Sequence, residues 1–145
     1  MTDIDALIQR AANHLAGEPV IIRWRDPAAE GALGQAHKTA TGAAVVDIAN
    51  LTSIETTFRV LLHELAHIRL GHAVYTGAVT KPPASIPRNE PRRAAWRVDT
   101  RETAANELAA RWLAYAEKQG GQILNNHLEA SPLECYLRAL LTWRE

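Results

Sequence analysis

His63-Glu64-Leu65-Ala66-His67 constrains this chain more than any other stretch, because two histidines four residues apart act together only on a helix. On one helical face their Cβ atoms lie about 5–6 Å apart, so two ring nitrogens can meet one ion at Zn–N distances of about 2.0–2.1 Å. Glu64 follows the first histidine, beside the ion rather than on it, where a carboxylate can take a proton from metal-bound water. With six histidines and 11 glutamates in 145 residues, only about 0.02 such pentapeptides are expected by chance. The context is helical as well. Thr52 and Glu55 have capping-box spacing, Gly71 supplies a stop, and Phe58, Leu61, Leu62, Leu65 and Ile68 form an apolar stripe, which predicts a helix from about Ser53 to Leu70.

A tetrahedral catalytic zinc site needs a third protein ligand and one position left for water. Downstream of the pentapeptide the candidates are His72, Asp99, Glu102 and Glu107. His72 would have to fold back onto its own helix. Glu102 falls in a helix predicted to begin between Pro91 and Asp99 and to run to Gln119, where Gly120-Gly121 ends it. From Glu102, Ala105, Asn106, Ala109 and Leu113 recur at helical spacing; a carboxylate on that inward face needs a partner, which a cation held by the histidine helix would supply. The competing reading makes Asp99 an N-cap and Glu102 its capping-box acid three residues on. Spacing alone leaves both open.

The remainder reads as scaffold. Ile4, Leu7, Ile8, Ala11 and Leu15 predict an amphipathic helix over 2–16, stopped by Gly17. Val20–Arg25, Gln35–Thr39 and Ala43–Ile48 read as strands, with Arg23 and Arg25 on one side of the first. Residues 73–91 hold four of the seven prolines and read as a long surface loop beside the cleft, more mobile than its flanking helices. A last helix is predicted over Pro132–Trp143, with Leu133, Leu137, Leu140 and Leu141 inward. Trp24, Trp96, Trp112 and Trp143 are expected as core aromatics and Cys135 as a small buried residue, while His14, His37 and His127 have no ligand spacing. One α+β domain over residues 1–145 follows. A chain this long buries roughly two thirds of its unfolded surface, so a bound ion is expected to serve chemistry rather than hold the fold.

His63–His72, with its HExxH core, resembles the first motif of the ImmA/IrrE family of zinc peptidase-like proteins. Glu102-Thr103-Ala104-Ala105-Asn106-Glu107-Leu108-Ala109-Ala110 resembles the second, an E-x-x-A-N-x-F-A pattern, in the expected order. The likeness covers about 20 positions directly. It implies a minimal zincin-like, gluzincin-type domain: N-terminal helix, small three-stranded sheet, HExxH helix, Glu-bearing helix and C-terminal helix. It also implies Zn2+ held by His63, His67 and Glu102, with Glu64 as catalytic base. Leu108 stands where the family usually has an aromatic residue, and Trp112-Leu113-Ala114-Tyr115 replaces its usual Leu-rich continuation.

The activity so implied is a metallopeptidase cleaving a protein substrate, a helix-turn-helix repressor of a bacterium or phage being the family's substrate class. An extended substrate is expected to add to an edge strand, residues 43–48. Tyr75 and His72 are candidates to stabilise an oxyanion. The alternative is a non-proteolytic zinc-binding interaction module of a mobile element, like the peptidase-like portion of antirestriction proteins. Retention of Glu64 argues for the enzyme, since metal binding alone needs no base there.

Charge and cysteine usage narrow the setting. Sixteen basic and 16 acidic residues balance, and although residues 73–101 carry six basic against two acidic, Arg93, Arg97 and Arg101 at intervals of four read as a solvated helix face. Direct nucleic-acid binding is therefore not expected. A lone Cys135 and an acidic start with no apolar segment behind it fit the cytoplasm, and no stretch approaches the ~20 apolar residues of a membrane span.

Overall fold

Ala44-Val45-Val46-Asp47-Ile48-Ala49 is buried at every position, and a strand with no solvated face belongs in the middle of a sheet. The computed structural model describes residues 3–25, 34–49, 54–72, 74–75, 91–126 and 131–145. Within them the order is α1 (Asp3–Ala16), β1 (Val20–Arg25), β2 (Gly34–Lys38), β3 (Ala44–Ala49), α2 (Ile54–Arg69), β4 (Val74–Tyr75), α3 (Pro91–Asn126) and α4 (Pro132–Leu140). The fold is α+β. Three strands of five or six residues and the two-residue β4 form one mixed sheet, ordered β1-β3-β2-β4.

β1 runs parallel to β3, β2 antiparallel to it, and β4 pairs only with His37 and Lys38 of β2. The expected edge strand at 43–48 is therefore the centre of the sheet. Its unbroken burial explains why, since an exposed edge there would leave apolar surface in water. Among the described residues, the open edge near the helices is Gly34–Ala36, the part of β2 that β4 does not reach. Asp47 is the one charged side chain in β3, 2% exposed, and it takes two hydrogen bonds from Arg23 of β1 at 2.7 and 3.1 Å. That pair staples the parallel strands, answering the cost of burying a carboxylate.

α1 and α2 pack against the sheet, α3 lies on α2, and α4 closes the bundle between α3 and α1. The core runs through Leu7, Leu15, Val46, Ile48, Leu62, Leu65, Trp112 and Leu140, all within 6% exposure. α1 is tied to the sheet by Gln9 and Asn13 side chains that hydrogen-bond the Val20 carbonyl and N–H at 2.6 and 2.9 Å. Trp112 and Cys135 are fully buried as expected, but Trp24 is 48% exposed at the far end of the edge strand β1. Trp143 is half-buried, edge-on to Tyr115 at 5.2 Å. Of the loop expected over 73–91, Val74–Tyr75 form β4 and Pro91 opens α3, while residues 73 and 76–90 lie outside the described residues, as do the side chain of Trp96, His127 and the capping pair's Thr52.

Two helix ends differ from expectation. α3 does not stop at Gly120-Gly121 but continues to Asn126. A Cβ at Gly120 would press on the Tyr136 ring and lie 3.1 Å from the Tyr136 backbone, so this glycine lets α4 approach α3 closely. α4 ends at Leu140 rather than Trp143, because Thr142 and Trp143 donate to carbonyls three residues back and tighten the chain out of the α-helix. Its start follows the capping rule, Ser131 Oγ accepting from the Glu134 N–H at 3.1 Å ahead of Pro132. No helix among the described residues is long and apolar enough to cross a membrane.

The two adjacent glycines make opposite predictions. A Cβ at Gly121 meets nothing within 4 Å, so Gly121→Ala should stabilise the protein by about 0.5–1 kcal/mol through helix propensity. Gly120→Ala should destabilise it by about 1–3 kcal/mol through overpacking. Urea unfolding of both variants checks the contrast.

Candidate metal centre

The pentapeptide occupies the last turns of α2, whose apolar stripe of Phe58, Leu61, Leu62, Leu65 and Ile68 is buried as the periodicity requires. That stripe fixes the helix's rotation, which leaves His63 and His67 half-buried and turned toward α3. Their rings meet edge to face with centroids 4.7 Å apart, and the two Nε2 atoms lie 3.1 Å from each other.

Glu102 of α3 completes the group. One carboxylate oxygen lies 2.8 Å from His63 Nε2 and the other 3.0 Å from His67 Nε2. Two imidazole nitrogens and two carboxylate oxygens held this closely need a proton or a cation among them. Ligands on a tetrahedral zinc at about 2.0–2.1 Å stand about 3.3 Å apart, within about half an ångström of the spacings here. His63, His67 and Glu102 therefore form a group that could hold a metal ion, and two imidazoles with one carboxylate are a donor set suited to zinc.

The helix carrying Glu102 begins at Pro91, so Asp99 lies inside it and is no N-cap. The capping reading of Glu102 fails with it. The inward face is Ala105, Leu108, Trp112 and Ala116; of the expected stripe Ala109 and Leu113 are partly buried against this core while Asn106 is exposed, and Glu102 continues the inward row by one step of three. Glu107 points away and is exposed.

His72 does fold back, though not as a ligand of this group. Gly71, at φ 76°, closes α2 with a Schellman turn: its N–H donates to Ile68 O at 3.1 Å and the His72 N–H to His67 O at 2.8 Å. The turn brings His72 Nδ1 to 3.1 Å from His67 Nδ1. Burial lowers the pKa of His67 from the usual imidazole range against the opposing pull of Glu102, and burial with nearby Arg101 lowers that of His72. Both rings are thereby kept available as neutral imidazoles.

Glu64 is 8% exposed and lies under β2. Its carboxyl is pushed up to about 7, mainly by burial, with His63 pulling down and Glu102 adding repulsion. The room comes from Gly34: a Cβ there would fall 2.6 Å from Val60 Cγ1 and 3.0 Å from Glu64 Cγ. No sequence signal singled out Gly34, since a glycine opening a short strand reads as loop punctuation. A cleft of about 300 Å³ opens over the group between Gly34–Ala36 on one side and Arg101 and Glu102 on the other. A larger groove of about 950 Å³ between α1 and α4 lies away from the histidines. Of Tyr75 only the backbone is described. No family model, curated protein or solved structure matches this chain.

Two predictions follow from this geometry. Glu102→Ala should lower zinc affinity by orders of magnitude while Asp99→Ala leaves it intact, as read by competitive zinc titration; equal affinity in wild type and Glu102→Ala would remove Glu102 from the group. The second concerns protons. With its pKa near 7, Glu64 is largely protonated at pH 6.5 in the metal-free protein, and a neighbouring dication favours the carboxylate. Zinc uptake at that pH should release roughly half to one proton more from wild type than from Glu64→Gln, measured calorimetrically in buffers of different ionisation enthalpy.

Proposed function

We propose that this protein is a zinc-dependent metallopeptidase of the ImmA/IrrE type, acting in the cytoplasm on a protein substrate such as a helix-turn-helix repressor. The observation that carries the reading is the pairing of a His63, His67 and Glu102 group with a buried Glu64 carboxyl, on a cleft with an open strand edge. His63, His67 and Glu102 would hold the ion. Zinc bound there would supply a Lewis acid that makes water a better nucleophile near neutral pH and polarises the scissile carbonyl.

The chain's own residues do the rest. Glu64 accepts the proton of the attacking water and returns it to the leaving amine; a pKa raised by burial suits a group that must take a proton and give it back. Burial under Gly34 keeps bulk water from levelling that pKa. An extended substrate pairs its main chain with the edge that the described residues leave open at Gly34–Ala36 rather than with 43–48.

Glu64→Gln is the deciding variant. It should bind zinc and fold like wild type while cleavage falls by about 10²–10⁴, scored by mass spectrometry on a proteome-derived peptide library and on a panel of helix-turn-helix repressors. Equal cleavage by the variant, or none by zinc-loaded wild type, sinks the peptidase reading and turns the site into a metal-dependent binding module.

A further inference from the structure

His67 is held twice by one residue. The His72 N–H donates to the His67 carbonyl at 2.8 Å, and the two rings meet Nδ1 to Nδ1 at 3.1 Å. Their centroids are 5.3 Å apart, the nitrogen separation plus about two ring radii, so the imidazoles meet end to end rather than stacked. This is hydrogen-bond geometry, and only one of the two nitrogens can carry the proton.

We propose that His72 is a positioning residue for His67, and that the tautomer this contact imposes makes His72 a hydrogen-bond donor in the cleft. The inference rests on the reading of His67 as a metal ligand through Nε2. That atom faces the group, 3.0 Å from Glu102 and 3.1 Å from His63 Nε2. A neutral imidazole that offers its Nε2 lone pair keeps its proton on Nδ1. His67 Nδ1–H therefore donates to His72 Nδ1, which must present a lone pair, and the neutral His72 ring carries its own proton on Nε2. Ligand rings are ordinarily oriented by a carboxylate, carbonyl or water at the second nitrogen. Here the αL turn at Gly71 supplies an imidazole instead, one with a second polar atom to spare. His72 lines the same cleft as Gly34–Ala36 and Glu64, so that N–H is available to an acceptor oxygen entering it.

The tautomers are directly readable. In zinc-loaded wild type labelled with ¹⁵N-histidine, long-range ¹H–¹⁵N correlation should show His67 protonated at Nδ1 and His72 at Nε2. His72→Phe, which keeps a ring but loses both polar atoms, should bind zinc about 10–100-fold more weakly. His72→Gln, which offers an acceptor to His67 and a donor to the cleft, should recover most of that loss. His72 protonated at Nδ1 in the wild-type spectrum, or equal zinc affinity in wild type and His72→Phe, overturns the assignment while leaving the metal centre standing. A wild-type protein that takes up no zinc overturns both. The spectrum needs no variant, so the test holds even if a substitution disturbs the end of α2.

Discussion

Everything about the site depends on one carboxylate reaching across from α3 to two imidazoles on α2. Neither helix owns the site. α2 contributes two nitrogens 3.1 Å apart that need a proton or a cation between them, and α3 a carboxylate half in solvent. The packing that brings them together is apolar and lies just behind them: Leu62 and Leu65 on α2 and Ala105, Leu108 and Trp112 on α3 belong to one buried cluster. The core aims the polar atoms, so a metal ion would find its ligands already near tetrahedral spacing rather than gathering them from a flexible chain.

What could be read from the sequence followed periodicity and caps. α1 and α2 end where Gly17 and Gly71 adopt positive φ, and the stripe of α2 is buried residue for residue. The same rule failed at Gly120-Gly121, because a glycine that ends a helix and a glycine that lets a neighbour approach look alike until Tyr136 is in place. Glu102 was ambiguous for a related reason. Capping boxes and helical faces both use a spacing of three, and only the start of α3 at Pro91, two turns before Asp99, separates them. His72 needed the turn at Gly71 before its ring could be placed.

Strand order was the least legible part. Three short strand segments in sequence carry no sign of their order, and the chain crosses over to put β3 between β1 and β2. Side-chain alternation says which residues face inward, not which strand lies at the edge. Only the continuous burial of β3, with Asp47 satisfied by Arg23 from its parallel neighbour, carries that information. Trp24 was misjudged on the same account: an aromatic residue near the end of an edge strand has no neighbour on one side to cover it.

Gly34 has a consequence for selectivity. Since a side chain at this position would collide with Val60 and Glu64, the strand wall of the cleft is limited there to bare peptide groups, which treat every residue type alike. Discrimination between one entering molecule and another then falls to the side chains around that point, Gln35 and Ala36 on the same strand and Arg101 beside Glu102 on α3. The carboxyl beneath it thus holds one point of the cleft to glycine, while the residues around that point stay free to differ.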